Sequence, residues 1–427
     1  MAPSVLLIGS FLIMVACGLP IAFCLGVSAF VTGMATGIGP AMLVQRISAG
    51  IQIFPLLAIP LFILAGGIMA RGGVAKRIVD FAYIIVGPFR GGLAMVNCVD
   101  SMFFGGVSGS ALADISSTGP IMIPMMERKG YDREFSTAIT IASSTQGIII
   151  PPSHNMVIYA MVAGNVSVGK LFLAGYIPGI MVGLALMATC YYLALKRGYP
   201  YEKRPPVKEC LVIVRDGLIA ILAALIIVGG ITFGIFTVSE ASAIAVFYAA
   251  FLGVVVYREM GVRDIWPVLI DSTKTTVSVL FIIGCASAFG WMMTFLQIPG
   301  KATELFLTFT GNKYVLYLLI NVLLLGLGMI MDLAPLIVIV TPVLLPVMKA
   351  TGMDPVTFGI LLMVNLGIGL TTPPVGTALF VGSAVGSVTI ERLSRSMFAL
   401  WPAMLFVLFL VTYVPWLTMA IPNWIIR

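Results

Sequence analysis

Two short stretches hold the residues best placed to do chemistry: GIIIPPSHNM, Gly147 to Met156, and GIGLTTPPVGTA, Gly367 to Ala378. Each sets a Pro-Pro pair in the middle of a long apolar segment. Proline has no N–H and cannot continue a helix, so each pair deprives preceding carbonyls of their helical donors. Carbonyl oxygens freed at the C-terminal end of one half-helix suit Na⁺, and N–H groups opening the next half suit an anion. The chemistry on offer is ion binding by backbone. Polar side chains stand beside both breaks: Ser153, His154 and Asn155 follow the first, and Asn365 and Thr377 flank the second. His154 could donate a hydrogen bond to a carboxylate or change charge near neutral pH, or serve equally well as a structural hydrogen bond inside a helix.

These breaks must be held by elements that composition defines. Of 427 residues, 60% are hydrophobic and 10% charged, with a mean hydropathy of +1.11. That profile belongs to an integral membrane protein. Apolar runs long enough to span recur from end to end, and backbone in lipid must satisfy its own hydrogen bonds, so the runs are expected to be helices. The alternating segments of a β-barrel are missing from the pattern. The first run, 4–36, lacks a basic leader and reads as a retained segment, either one tilted span or two short ones around Gly18-Leu19-Pro20. The net charge of +7 comes from residues in short loops, where they set topology; it does not call for nucleic acid. Six scattered cysteines form no CxxC pair, and a single histidine excludes a multi-His metal site within the chain.

An offset of 222 aligns Pro120, Pro124, Met126, Gly130, Asp132, Gly147, Pro151 and Pro152 with Pro342, Pro346, Met348, Gly352, Asp354, Gly369, Pro373 and Pro374, without a gap. These residue types fix turns and breaks, so shared positions imply a shared backbone path. The same offset maps 47–70 onto 269–292 and 168–195 onto 390–417. The reading is an all-α polytopic protein with a first repeat at 1–195, a cytoplasmic linker at 196–210 and a second repeat within 211–427. The linker carries Lys196, Arg197, Lys203, Arg204 and Lys208. First-half loops hold Arg71, Lys76, Arg77, Arg90, Arg128, Lys129 and Arg133, whereas their counterparts hold only Lys301 and Lys349, with Lys313 nearby. Matching loops on opposite sides of the membrane explain the imbalance, which makes the repeats inverted. Segments 91–126 and 313–348 are too short for two spans and a turn, so each is expected to be a re-entrant helical hairpin. Segments 136–163 and 357–386 are expected to be discontinuous helices.

Inverted repeats with hairpins and broken helices are typical of secondary transporters. A first Na⁺ site is expected among the carbonyls of Gly147, Ile150 and Pro152 with Gly105 and Ser108 at the hairpin tip. The second matches it with Gly369, Thr372 and Pro374 against Gly328 and Asp332. A lone Pro-Pro kink is explained by packing, but two at one repeat position, each opposite a Gly-rich hairpin, point to function. Asp100, Asp114, Asp271 and Asp332 lie in or beside apolar segments, where an ionised carboxylate needs a partner. Asp332 is the best functional candidate, Asp271 is expected to pair with Lys274 and Arg263, and no intramembrane arginine is evident.

The stretches SGSALADISSTGPIMIP, STQGIIIPPS and GIGLTTPPVGTA resemble the large membrane subunit of TRAP (tripartite ATP-independent periplasmic) transporters, along essentially the whole chain. The resemblance implies Na⁺-driven organic-acid uptake across the bacterial inner membrane, by an elevator motion of the hairpin domain against a scaffold. It also implies two partners, a small four-helix membrane subunit and a periplasmic substrate-binding protein. A stand-alone Na⁺/carboxylate symporter of a related family is the nearest alternative. An intramembrane enzyme would need a nucleophile–base pair for which no signature exists. A channel would not require two sites that alternate in access. No GxxxxGK[ST] motif is present, so ATP hydrolysis is not expected of this chain.

Overall fold

The computed structural model describes residues 3–164, 166–201 and 206–426; Lys203 and Arg204 of the expected linker lie outside the described residues. Every regular element described is helical. Six helices are long and apolar enough to cross a bilayer: Phe54–Arg71, Val168–Arg197, Val207–Thr232, Val238–Val256, Val262–Phe295 and Leu333–Ala350.

The amino-terminal run forms two helices, Pro3–Ala16 and Ile21–Ala35, with Gly18 at φ +77° taking the turn that a Cβ would oppose. The run 47–70 is not the single span expected. Pro40–Ile51 is a separate helix, and the spanning segment starts with a short 3-10 turn at Phe54–Leu57 before Ala58–Arg71. Pro55 explains the division, because it has no N–H and disfavours helical geometry in the residue before it. The run 390–417 is also divided. Ile390–Met397 and Trp401–Tyr413 bend by 56° where Pro402 interrupts the ladder, and Trp416–Ile425 follows Pro415.

The first hairpin pairs Gly92–Ser108 with Ala111–Arg128, and the second pairs Lys313–Gly328 with Leu333–Ala350. Gly109, at φ +65°, reverses the chain at the first tip, and the hydroxyl of Ser110 caps the returning arm by accepting the Ala113 N–H at 3.4 Å. One broken helix runs Arg133–Ser144, then a single turn at Gln146–Ile149, then His154–Ala163; the other runs Pro355–Leu370, then Thr377–Gly386. The first arms of both are enclosed, with every residue from Phe135 to Ser144 and from Val356 to Leu370 buried. A helix buried on all sides must neutralise its polar groups internally. Ser136, Thr137 and Thr140 do so by donating to carbonyls one turn back, at 2.8–2.9 Å. Tyr159, fully enclosed, donates to the Pro355 carbonyl at 2.5 Å and ties the second arm of one broken helix to the start of the other.

Ala58–Arg71, Val238–Phe251 and Ile265–Phe295 pack together beside this hairpin assembly, with Val74–Val86 and Val207–Thr232 flanking them. Arg77 links two of these pieces, pairing with Glu259 and stacking over Tyr257 at 4.3 Å.

Candidate functional site

The site begins where backbones touch. A Cβ added to Gly105 would sit 2.5 Å from the Gly147 Cα, so the hairpin arm and the broken helix meet with nothing between their main chains. The second half repeats this contact, with a Cβ on Gly369 falling 2.7 Å from the Gly328 Cα. Such approach is available only to glycine.

At the first break, Pro151 and Pro152 have no N–H to give, so the Gly147 and Ile148 carbonyls lack their ordinary donors four residues on. The Pro152 carbonyl oxygen lies 2.8 Å from where a Gly109 Cβ would be, and that of Pro151 lies 3.2 Å from the equivalent point on Gly106. Ile150 packs its side chain against Gly106 and Gly179. Ser108 ends the hairpin arm beside the scaffold residue Gly66, whose Cβ would meet the Ser108 Cα and carbonyl oxygen at 3.2 Å. Gly105, Ser108, Gly147, Ile150 and Pro152 therefore gather around one hairpin tip.

At the second break, the Gly369 carbonyl accepts the Thr372 N–H at 3.0 Å. The Thr372 hydroxyl donates to the Ile368 carbonyl at 2.8 Å. The carbonyls of Leu370 and Thr372 converge on Gly376, 2.9 and 2.7 Å from the position of its missing Cβ. Met329, at the hairpin tip, accepts the N–H groups of Val375 and Gly376 at 3.1 and 3.2 Å, fastening the tip to the break. Asp332 stands at the N-cap of Leu333–Ala350 and accepts the Thr377 hydroxyl at 3.2 Å. The two breaks differ in access: Pro151 and Pro152 are buried, whereas Pro374 is exposed. Both Pro-Pro bonds are cis.

The tips and the first break face a common cavity of about 580 Å³, whose wall includes Ser108, Ser110, His154, Asn155, Asp332 and Ser272. His154 Nδ1 and the Ser153 hydroxyl are buried without a protein partner, which leaves His154, on the cavity wall, able to accept or donate to a guest. Thr377 reaches the site through Asp332. Asn365 does not line the cavity; fully buried, it donates to the backbone and side-chain oxygens of Asn321 at 3.0 and 2.8 Å. It lies one helical turn before Gly369, and Asn321 lies two turns before Gly328. The first half has a comparable pair: Ser101 donates to Ser143 at 3.0 Å, one turn before Gly105 and Gly147. Each Gly–Gly contact is thus backed by a polar bridge between the same two elements.

Asp100 and Asp114 are completely enclosed in the first hairpin. Thr118 donates to one Asp114 oxygen at 3.3 Å. Asp271 bears out the expected pairing with Lys274 and has Arg71 where Arg263 was expected. It meets Arg71 at 2.8 Å, with Lys274 at 3.9 Å, because Ala58–Arg71 and Ile265–Phe295 lie side by side. Arg71, at the end of Ala58–Arg71, lines a second chamber adjoining the first. Gly66, Gly67, Ser272, Thr275 and the Met329 carbonyl were not anticipated either. Among them only the Gly66-Gly67 pair carried a signal, as two small residues inside an apolar run. No group of three or more His, Cys, Asp or Glu converges among the described residues. The oxygens offered at the breaks are carbonyls, hydroxyls and the Asp332 carboxylate.

The fold and the paired breaks define a multi-pass helical membrane protein of transporter architecture. It shares its fold with the YdaH transporter of Alcanivorax borkumensis, at a TM-score of 0.65 and 14% identity, covering 100% of this chain and 99% of that one. The model of the family described as tripartite ATP-independent periplasmic transporter, DctM component, matches residues 8–417, and the chain belongs to that family. It is 41% identical over 424 residues to the uncharacterized protein YgiK of Salmonella typhimurium, covering 99% of this chain and 97% of the relative. It is also 40% identical over 372 residues to the C4-dicarboxylate TRAP transporter large permease protein DctM of Pseudomonas aeruginosa, covering 87% of each. The chain is therefore a large permease subunit of the inner membrane and not an enzyme.

Proposed function

We propose that this chain carries an organic-acid anion across the inner membrane together with Na⁺, receiving it from a periplasmic binding protein and working beside a small membrane subunit. The observation that carries the reading is the pair of glycine contacts, Gly105 with Gly147 and Gly328 with Gly369, beside tips that face one cavity. Such contacts fix the two backbones against each other before any ion arrives, so binding at the Gly147 and Ile148 carbonyls, which lack helical donors, costs little reorganisation. Na⁺ would be held by the carbonyls of Gly147, Ile150 and Pro152 with Gly105 and Ser108, and by those of Gly369, Thr372 and Pro374 with Gly328 and Asp332. Ser110, His154 and Asn155 would offer hydrogen bonds to the carboxylate, which needs donors because the cavity's own charges, Asp271 and Asp332, are acidic. The name of the Pseudomonas relative favours a dicarboxylate or a similar acid.

In this account the halves are inverted repeats, and the hairpins and broken helices move as one body against the scaffold. The close fit of Gly66 on Ser108 supports such sliding, since small residues let one surface pass another. The test is uptake of labelled succinate, gluconate, pyruvate and N-acetylneuraminate by proteoliposomes holding both membrane subunits. Uptake of at least one acid that requires an inward Na⁺ gradient and the cognate binding protein supports the proposal. Na⁺-driven uptake without the binding protein makes the chain a free-standing symporter, and uptake indifferent to Na⁺ refutes the coupling.

A further inference from the structure

The central cavity continues into a second chamber of about 430 Å³; the two share Gly66, Gly67, Ala113, Ser116, Asp271 and Ser272 in their walls. Among the described residues, three charged side chains line this passage: Asp332 within, Asp271 between the chambers and Arg71 in the outer one. An organic anion leaving the cavity by this route passes two carboxylates and meets a single cation. Arg71 ends Ala58–Arg71 and is joined by Lys76 and Arg77, so the positive-inside tendency puts the outer chamber at the cytoplasmic face.

We propose that Arg71 is an anion-binding waypoint at the cytoplasmic mouth, held ready by Asp271 and taken over by the carboxylate of the departing substrate. This deepens the transport reading and rests on it. The Arg71–Asp271 pair, at 2.8 Å, has side chains 49% and 58% exposed. Ion pairs open to water to this degree are weak, so Asp271 can be displaced without a large penalty. Asp271 accepts from Nη2 of the guanidinium at 2.8 Å, and a guanidinium has two parallel N–H donors to offer, so a substrate carboxylate can replace Asp271 and engage both. Asp271 keeps the guanidinium oriented while the passage is empty and repels the anion once it has passed, which favours release over return. A static strut between the two scaffold helices would also explain the pair, but a strut would depend on the two charges and not on which helix carries which.

The experiment measures Na⁺-driven uptake of whichever test acid the wild-type complex transports fastest, in proteoliposomes with both partners. Arg71→Gln is expected to lower uptake about threefold to fivefold, the upper range for a charged contact open to water. Arg71→Lys is expected to recover part of it, because it keeps the charge without the fork, and Asp271→Asn to lower uptake less than Arg71→Gln, because the waypoint loses its orienting partner and keeps its cation. The exchanged double variant, Arg71→Asp with Asp271→Arg, restores the pair and is expected to insert normally yet transport poorly. Wild-type uptake by the exchanged variant, or equal damage from Asp271→Asn and Arg71→Gln, would establish a strut and overturn the waypoint. Uptake by Arg71→Gln within about twofold of wild type would overturn it as well. A wild-type complex that transports none of the acids would refute the underlying transport reading, a result separate from any ranking of variants.

Discussion

Replacing Gly369 with alanine adds one carbon at a place already filled by backbone. The new Cβ would lie 2.7 Å from the Gly328 Cα, 2.8 Å from its carbonyl carbon and 3.1 Å from its oxygen. Carbon atoms rest comfortably at about 3.5–4.0 Å, so the broken helix and hairpin arm must part by roughly 1 Å. No rotamer change relieves a main-chain clash, and overpacking of this kind costs about 1–3 kcal/mol. The displaced atoms are the carbonyls assigned to Na⁺, and a misplacement of about 1 Å in a preorganised site can cost on the order of a hundredfold. The expected outcome is a rise of about tenfold to a hundredfold in the Na⁺ concentration giving half-maximal uptake, with normal insertion. Gly326, two residues before Gly328, has open space where its Cβ would go. Gly326→Ala is therefore expected to be neutral or slightly stabilising, by up to about 1 kcal/mol for a helix-interior glycine. Severity should follow the clash distances, with Gly105→Ala (2.5 Å) worst, then Gly369→Ala (2.7 Å), Gly147→Ala (2.9 Å) and Gly328→Ala (3.1 Å). Unchanged Na⁺ dependence in well-inserted Gly105→Ala and Gly369→Ala would refute the reasoning that these contacts build ion sites.

Asp332→Asn removes the one carboxylate at the second break while keeping the oxygen that accepts from Thr377; Na⁺-coupled uptake should fall at least about tenfold, the measure of a lost charged ligand, with the melting temperature little changed. His154→Phe fills the same wall without a donor, so the KM for the acid should rise about threefold to thirtyfold, while the Na⁺ dependence stays as in the wild type. Asn365→Ala strands the buried Asn321 side-chain oxygen; a loss of about 1–3 kcal/mol should appear as a lower melting temperature, and the Na⁺ dependence should weaken because the contact it backs is one turn away.

The backbone plan was legible because proline and glycine act locally. The Pro-Pro pairs placed both breaks, and the glycine-rich tips placed both hairpins to within two residues of their helical ends. Length alone does not separate hairpin arms from spans: Leu333–Ala350, the returning arm of the second hairpin, is itself long and apolar enough to cross a bilayer. Pro55 and Pro402 show where the same signal was underused, as long apolar runs were read through them. Side-chain partners were less legible. Asp271 was assigned to Lys274 and Arg263 from proximity in sequence; Lys274 does pair with it, one turn away, whereas Arg71, 200 positions earlier, takes the place expected of Arg263 because two scaffold helices lie together. Asn365 looked like a substrate contact from its nearness to a break. On a helix it falls one turn from Gly369 and faces Asn321, and that facing is decided by the packing of two elements. The Met329 carbonyl could not have been found by residue type, because any residue supplies one.

The central claim is that each break with its hairpin forms a Na⁺ site built from backbone. Equilibrium binding of ²²Na⁺ to the purified complex in detergent tests it without transport, substrate or membrane potential. The account predicts saturable binding at two sites at least, with one lost in Gly105→Ala, another in Gly369→Ala and neither in Gly326→Ala. No saturable Na⁺ binding by the wild type, or wild-type binding by both clashing variants, would contradict it.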